Sequence, residues 1–205
     1  MKAASIRFKG LYALTPVDLT GPALVDAAGQ VLSGGAAWLQ YRSKPRPDPD
    51  TARALAALCR RHGTVFIVND DPVLAAAVGA DGVHLGREDA TVAEARALLG
   101  PAALIGVSCY ADLERARGLA DQGADYLAFG SLYPSPTKPD AVRCPPEVLG
   151  RARSLGRPVV AIGGITLDRA AGLIAAGADL LAVVSDLFNA PDPHRRAREY
   201  AALFD

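Results

Sequence analysis

The sequence predicts a single (β/α)₈ TIM barrel that occupies residues 1–205 as one domain, and three observations support this fold class. Eight short apolar runs recur along the chain, and most lack polar alternation, as expected of parallel strands covered on both faces. Segments rich in alanine and leucine, with helical spacing, separate these runs. Eight such units in 205 residues match the lower size limit of the barrel. The rival fold, an open doubly wound sheet, normally carries a glycine fingerprint after its first strand, where this chain has PVDLTG.

The predicted strands follow in chain order, and helices are predicted between them. The strands are 11–15 (LYALT), 38–41 (WLQY), 65–69 (VFIVN), 82–85 (GVHL), 104–108 (LIGVS), 126–129 (YLAF), 158–162 (PVVAI) and 180–184 (LLAVV). Two of the helices are predicted over 51–63 and 91–100, and Thr91 with Glu94 forms the T-x-x-E pattern of a capping box. Asp71 before Pro72 is typical of a helix N-cap followed by proline in the first helical position.

The phrase Gly-Ala-Asp occurs three times, at 79–81, 123–125 and 177–179. Each copy ends a helical stretch and opens an apolar one, and glycine can take the left-handed conformation that terminates a helix. The copies lie 44 and 54 residues apart, which is about two βα units each. The repeat is therefore that of the supersecondary unit and not of a solenoid.

Composition excludes several classes of partner. The 22 basic and 22 acidic residues create no broad positive field for nucleic acid or an anionic membrane, so any anion site must be local. With no apolar stretch of signal-peptide length at the start and none that could cross a bilayer, we expect a cytoplasmic protein, and a homo-oligomer is left open. The spacing of Cys59, Cys109 and Cys144 fits neither a disulfide framework nor a metal clip, and predicts buried thiols.

Polar residues follow most of the predicted strands, where a barrel of this kind carries its reactive groups. Gln40, Arg42 and Lys44 alternate after the second strand, so their side chains point the same way if the strand continues through them. Taken alone, the two cations are more typical of ordinary solvated charges.

In the segment GSLYPSPTKPD at 130–140, three prolines stiffen a loop that presents Lys138, which indicates an anion site.

Two carboxylates at the ends of adjacent strands have no predicted capping role. Asp71 and the pair Thr91–Glu94 are assigned to helix caps, which leaves Asp70 and Asp89. Such a pair can share Mg²⁺, which typically takes one or two carboxylates together with phosphate oxygens and water. The alternative is a pair of solvated acids, but together with three cations nearby they favour a metal-phosphate site.

The double glycine Gly163-Gly164 follows the seventh strand and precedes a helix that Thr166 could cap. Bare backbone amides near a helix start can hold phosphate, and Ser185 after the eighth strand lies in the other loop that barrels use for this purpose. The alternative is a tight turn that needs glycine angles.

His84 is predicted to be packed and hydrogen-bonded. No Ser-His-Asp set is predicted, because GxSxG is absent and no base is evident near Ser108.

Six segments, in this order, closely resemble the thiamine phosphate synthase family: QYRSK, VNDDPVLAAAVGADGVHLGREDA, GVSCY, ADYLAFGSLYPSPTKP, VVAIGGI and AVVSDLF. The resemblance extends from Tyr12 to Phe188. It implies condensation of 4-amino-2-methyl-5-(diphosphooxymethyl)pyrimidine with 4-methyl-5-(2-phosphooxyethyl)thiazole to give thiamine phosphate and pyrophosphate. It also implies a dissociative reaction, in which Mg²⁺-bound pyrophosphate leaves first and the thiazole nitrogen captures the pyrimidine carbocation.

The resemblance further implies a role for each residue that matches the family pattern. The pyrimidine diphosphate would be held by Gln40, Arg42, Lys44, Asn69, Ser108 and Lys138. Of these, the catalytic roles would belong to Arg42, Lys44, Ser108 and Lys138. The thiazole phosphate would be held by Ser135, Thr137, Gly164, Val184 and Ser185, and Mg²⁺ by Asp70 and Asp89.

Three positions depart from the family pattern. Arg87 stands where glutamine is common, Ser135 where threonine is frequent, and Tyr110 where many members have histidine. Thiazole tautomerases, a related branch of the same fold, would use that histidine for proton transfer, so Tyr110 argues against this alternative. A non-catalytic binding protein of the same pathway is a second alternative, and it would lose the metal carboxylates that are present here.

Overall fold

A computed structural model of the chain describes residues 7–43, 47–134 and 143–205. Eight parallel strands close into a barrel in which each strand pairs with the next and β8 pairs with β1, which confirms the predicted fold class. The strands are β1 (Gly10–Leu14), β2 (Trp38–Tyr41), β3 (Val65–Asn69), β4 (Gly82–Leu85), β5 (Leu104–Tyr110), β6 (Tyr126–Phe129), β7 (Val159–Ile162) and β8 (Leu180–Val183).

Helices lie between the strands, as the sequence predicts. They are α1 (Gly21–Ser33), α2 (Pro49–His62), α3 (Pro72–Val78), α4 (Val92–Leu99), α5 (Leu113–Asp121), α6 (Glu147–Ala152), α7 (Leu167–Ala175), α8 (Ser185–Phe188) and α9 (Pro193–Ala201). The capping box at Thr91 is confirmed, as is the N-cap at Asp71, whose Oδ1 accepts a hydrogen bond from the amide of Leu74. None of these helices, within the ranges given above, is long and apolar enough to cross a membrane.

Strand β5 continues beyond its predicted end at residue 108. It runs on to Tyr110, with a shift of register against β6 between Ser108 and Tyr110. Tyr110 adopts a left-handed backbone conformation with φ of 58°, which is uncommon for a residue other than glycine. The shift turns the end of this strand, and Tyr110 lies at the mouth of the barrel.

Two layers of side chains form the core. Alternate strand residues such as Leu11 and Ala13 point outward and pack beneath the helices, while Tyr12 points into the barrel. Inside, Tyr12, Trp38 and Tyr126 pack edge to face, with ring centroids 5.3–6.1 Å apart. These rings fill the barrel and form a floor beneath its mouth.

The repeated Gly-Ala-Asp phrase has a second structural role that the sequence did not reveal. Gly79 takes the left-handed conformation predicted for it, with φ of 65°, and ends α3. The aspartates accept hydrogen bonds from amides of the first or second residue of neighbouring strands: Asp81 from Phe66, Asp125 from Ile105 and Asp179 from Val159, at 2.7–2.8 Å. Each copy therefore ends a helix and also fixes the start of a strand pair.

Candidate functional site

A cavity of about 790 Å³ opens at the carboxyl ends of the strands. Seven of the residues predicted to bind substrate line it: Gln40, Arg42, Asn69, Ser108, Gly164, Val184 and Ser185. They come from β2, β3, β5 and the segments after β7 and β8, so the closure of the barrel brings distant parts of the chain together. A volume of this size is typical of small-molecule binding sites.

The other predicted site residues lie elsewhere or are not described. Asp70 lines a second cavity of about 430 Å³, and Asn69 lines both cavities. Asp89 lines neither of these two cavities. Lys44, Ser135, Thr137 and Lys138 lie outside the described residues.

The backbone of Arg42, just after the end of β2, is held by two hydrogen bonds with the side chain of Thr15. Its amide donates to Oγ1 of Thr15 at 2.8 Å, and the Thr15 hydroxyl lies 3.2 Å from the carbonyl oxygen of Arg42. Gln40 and Arg42 both line the large cavity, as expected from their alternation. Thr15 is fully buried, so this contact fixes the direction in which the chain leaves the strand.

Asp89 caps no helix, as predicted, because Thr91 is the N-cap of α4, but Asp89 has a local role that the sequence did not reveal. Its Oδ2 accepts a hydrogen bond of 2.6 Å from the amide of Gly86 and so closes the turn that follows β4. Asp70, which was also predicted to be left over, is not without a partner either. Its backbone is left-handed, with φ of 65°, and its amide donates to the carbonyl oxygen of His84 at 2.8 Å. No group of three or more His, Cys, Asp and Glu side chains could hold a metal among the residues that the structure describes.

Glycine is required at positions 163 and 164 by the backbone conformation and by the small distance to the neighbouring loop. Gly163 and Gly164 have φ of 103° and 61°, where side chains are strained. A Cβ on Gly164 would also lie 2.4 Å from the carbonyl oxygen of Pro134. The loop after β6 therefore packs directly on the loop after β7.

Thr166 stands at the N-cap of α7, but its side chain forms no capping hydrogen bond, so the capping role predicted for it was wrong.

A chain of four hydrogen bonds connects five buried or half-buried side chains inside the barrel. Gln40 Nε2 donates to the Tyr12 hydroxyl at 2.9 Å, and the Tyr12 and Tyr126 hydroxyl oxygens are 3.0 Å apart. The Tyr126 hydroxyl lies 3.2 Å from Nδ1 of His84, and Nε2 of His84 lies 3.0 Å from Oγ of Ser108. We call these five residues the interior chain.

The interior chain both confirms and corrects the sequence interpretation. His84 is packed and hydrogen-bonded, as predicted, and burial lowers its pKa to about 4. A histidine does lie beside Ser108, which the sequence did not reveal, because Nε2 of His84 contacts its hydroxyl. The signal available in the sequence was weak: both residues lie on neighbouring strands, but only the register shows that they meet.

Two of the residues that depart from the family pattern contact each other. The guanidinium carbon of Arg87 lies 4.9 Å from the ring centroid of Tyr110, and that of Arg115 lies 5.9 Å away. Arg115 also donates from Nε to the carbonyl oxygen of Ser108 at 3.0 Å. Tyr110, which lines the large cavity, is therefore held by cations at the rim.

Sequence reasoning missed Arg169, a cation that also lines the large cavity. It lies in the first turn of α7, with its guanidinium carbon 4.5 Å from the ring centroid of Tyr133. Its Nη1 donates to the carbonyl oxygen of Gly164 at 3.0 Å. The available signal in the sequence was its position, five residues after Gly164 and three after Thr166.

The three cysteines are free and buried, as predicted. Burial raises the pKa of the Cys109 thiol to about 12, and Cys109 packs in the outer core beneath the helices. It follows Ser108 in sequence but points away from the cavity, because adjacent strand residues face opposite sides.

A family model described as thiamine monophosphate synthase matches residues 11–187. The thiamine-phosphate synthase of Thioalkalivibrio sulfidiphilus is 54% identical over 204 residues, which cover 97% of this chain and 97% of that protein. The thiamine-phosphate synthase of Azoarcus sp. is 55% identical over 202 residues, covering 97% of this chain and 98% of that protein.

Two solved structures are similar to this chain along nearly its whole length. The thiamine phosphate pyrophosphorylase from Pyrococcus furiosus matches with a TM-score of 0.87 and 35% identity, covering 97% of this chain and 96% of that one. The orotidine 5'-phosphate decarboxylase from Pyrococcus horikoshii matches with a TM-score of 0.68 at 17% identity, covering 94% of this chain and 97% of that one, and shares the fold alone.

Proposed function

Because the chain belongs to the thiamine monophosphate synthase family and is an enzyme of thiamine phosphate synthesis, we propose the substrates and mechanism by which it acts. It condenses 4-amino-2-methyl-5-(diphosphooxymethyl)pyrimidine, the pyrimidine diphosphate, with 4-methyl-5-(2-phosphooxyethyl)thiazole, the thiazole phosphate. The products are thiamine phosphate and pyrophosphate. One observation carries the proposal: a single cavity is lined both by residues assigned to the pyrimidine diphosphate, such as Gln40 and Ser108, and by residues assigned to the thiazole phosphate, such as Gly164 and Ser185.

The reaction we propose is dissociative. The bond between the pyrimidine methylene carbon and the diphosphate oxygen breaks first, and the thiazole nitrogen then captures the carbocation with its lone pair. No general base is needed, which fits a site whose histidine is buried and holds Ser108. The demand on the protein is electrostatic, because pyrophosphate leaves with several negative charges. Arg42, Lys44 and Lys138 would stabilise this charge, each by about 4 kcal/mol at about 4 Å and a dielectric of about 20, before desolvation.

Substrate positioning is the second contribution of the protein. Gln40, Asn69 and Ser108 would orient the pyrimidine, and the backbone of Gly164 and Val184 with the hydroxyls of Ser135, Thr137 and Ser185 would hold the thiazole phosphate. Arg169 lies beside the glycine loop and adds a positive charge to this end of the cavity. Holding both reactants before ionisation replaces a bimolecular encounter with a step inside one complex.

Asp70 and Asp89 carry the oxygen ligands that Mg²⁺ prefers, and we propose that they would hold one ion together with the diphosphate. Asp70 supplies a carboxylate in a second cavity that shares Asn69 with the first, and Asp89 lies in the turn after the neighbouring strand. Two carboxylates are a typical protein contribution for Mg²⁺, since substrate oxygens and water complete its shell. When bound, the ion would neutralise charge on the leaving pyrophosphate.

The proposal is tested by incubating the purified protein with both heterocycles and measuring thiamine phosphate and pyrophosphate in parallel. We expect the two products in equal amounts, in a reaction that requires both substrates and stops when Mg²⁺ is chelated. Isomerisation of one substrate without pyrophosphate release would instead indicate a tautomerase. Product formation that is unaffected by chelation would contradict the proposed metal site.

A further inference from the structure

The interior chain joins two residues of the large cavity through three residues that have no role in the proposed reaction. Its ends, Gln40 and Ser108, both line the cavity and are assigned to the pyrimidine diphosphate. Its middle consists of Tyr12, Tyr126 and His84, which are 0–7% exposed. Buried polar groups are costly unless each donor finds an acceptor, so the direction of every bond in the chain can be deduced.

Gln40 sets the donor-to-acceptor direction of the hydrogen bonds in the interior chain. Its Nε2 is a donor only, so the Tyr12 hydroxyl accepts this bond. The single proton of the Tyr12 hydroxyl then goes to the Tyr126 oxygen 3.0 Å away, because the opposite arrangement would leave a buried donor unpaired. The Tyr126 hydroxyl in turn donates to Nδ1 of His84.

This direction determines the tautomer of His84. Since Nδ1 accepts a hydrogen bond, it carries no proton, and the proton of the neutral imidazole lies on Nε2. Nε2 therefore donates to Oγ of Ser108, 3.0 Å away. The proton of the Ser108 hydroxyl remains available, and this residue faces the cavity as a hydrogen-bond donor.

The same chain fixes the side-chain amide of Gln40. Because Nε2 is bound to Tyr12, a half-turn of the amide would set its carbonyl oxygen against Tyr12 and would require all four hydrogen bonds of the interior chain to reverse together. The carbonyl oxygen of Gln40 then remains to accept a hydrogen bond from a ligand, beside the second N–H of the amide. A ligand that donates to the Gln40 oxygen and accepts from Ser108 matches this arrangement.

We propose that the interior chain makes the site selective for an aminopyrimidine over its oxo counterpart by fixing Gln40 as acceptor and Ser108 as donor. An exocyclic amino group donates and a pyrimidine ring nitrogen accepts, whereas the oxo form presents a carbonyl oxygen and a ring N–H in their place. Tyr12, Tyr126 and His84 are positioning residues in this scheme. The inference rests on the proposed function, since it assumes that the pyrimidine diphosphate binds at Gln40 and Ser108.

Selectivity of this kind can be large. A site that hydrogen-bonds a substrate rejects an analogue of the wrong polarity because its own buried polar groups are left unpaired. Without the chain, the amide of Gln40 and the hydroxyl of Ser108 could both reorient and accept the oxo form. A variant in which the interior chain is interrupted should therefore lose its preference for the amino substrate over the oxo analogue, and not merely its activity.

The first test uses Tyr126→Phe, which removes the central hydroxyl of the chain and keeps the ring. We expect the preference for the amino substrate over its 4-oxo analogue, measured as the ratio of kcat/KM, to fall about tenfold. The KM for the thiazole phosphate should not change. The control is Thr64→Val, which removes a buried hydroxyl that donates to the carbonyl oxygen of Ala36 just before β3, at the other end of the barrel. An unchanged ratio in Tyr126→Phe, or an equal change in Thr64→Val, would overturn the proposal.

The second test needs neither substrates nor variants. Nitrogen-15 spectra of the histidine side chains of the wild-type protein report which ring nitrogen of His84 carries the proton. We expect the Nε2–H form, and the Nδ1–H form would overturn the direction of the chain. This result is independent of the proposed function: a protein that makes no thiamine phosphate but has Nε2–H at His84 refutes the function alone, whereas an active protein with Nδ1–H refutes only the inference.

Discussion

The guanidinium of Arg87 packs on the ring of Tyr110, with its central carbon 4.9 Å from the ring centroid. Both residues depart from the pattern of the family that the sequence resembles, and Tyr110 is the side chain that lines the cavity. Such a contact at an exposed position contributes about 0.5–1 kcal/mol. The two departures are therefore linked physically, and a change at one should alter the effect of a change at the other.

A double-mutant cycle measures this link. We expect Arg87→Gln and Tyr110→Leu to show a coupling of about 0.5–1 kcal/mol in the free energy of unfolding, determined by urea titration. Glu88→Gln combined with Tyr110→Leu serves as the control, because Glu88 is the exposed neighbour of Arg87 and carries no positive charge. Additive effects of Arg87→Gln and Tyr110→Leu would mean that the contact contributes nothing.

Lys138 is predicted to stabilise the departing pyrophosphate. We expect Lys138→Ala to lower kcat by two or more orders of magnitude, roughly the loss seen when a preorganised charge-stabilising group is removed. Arg151→Ala, which removes an exposed cation from α6, is the matched control and should leave kcat unchanged. A near-normal kcat in Lys138→Ala, measured at saturating concentrations of both substrates, would refute the role assigned to this lysine.

The metal proposal depends on Asp70. We expect Asp70→Asn to raise the Mg²⁺ concentration for half-maximal activity at least about tenfold, as removal of one of two charged ligands should. The control is Asp112→Asn, which replaces another carboxylate just after a strand; asparagine can still cap α5 as Asp112 does through the amide of Arg115. A Mg²⁺ titration in which the two variants behave alike would remove Asp70 from the metal site.

The sequence predicted the fold well because its signals are local. Runs of apolar residues define strands, and caps such as Thr91 with Glu94 involve residues only three positions apart. The same locality allowed Gln40 and Arg42 to be placed on one side of the barrel mouth. These predictions required no knowledge of how distant segments meet.

The interior chain could not be predicted in this way. Gln40, Tyr12, Tyr126, His84 and Ser108 come from five strands, and their contacts depend on barrel closure and on the register of neighbouring strands. The contact of Asp89 with the amide of Gly86 was not predicted either, although it spans only three residues. The sequence interpretation treated Asp89 as a metal ligand or a solvated acid, and did not include a turn closed by an aspartate.

Burial of His84 should make the stability of the protein depend on pH. Its pKa is lowered from 6.5 to about 4 in the folded state, mainly because burial disfavours the charged imidazolium. The unfolded chain therefore binds a proton as the pH falls below 6.5, while the folded protein does not. The contribution is fully present above pH 6.5 and is lost progressively between pH 6.5 and about 4, on the order of 3 kcal/mol in total.

Urea unfolding of the wild-type protein and of His84→Gln between pH 4 and pH 7 isolates this contribution. Both proteins lose stability on acidification because other groups also titrate, so the difference between their slopes is the informative quantity. We expect the free energy of unfolding of wild-type protein to fall more steeply than that of His84→Gln below pH 6.5, because only the wild-type chain has an imidazole to protonate on unfolding. Equal slopes would mean that the pKa of His84 is the same in the folded and unfolded states, and would contradict the lowering of this pKa by burial.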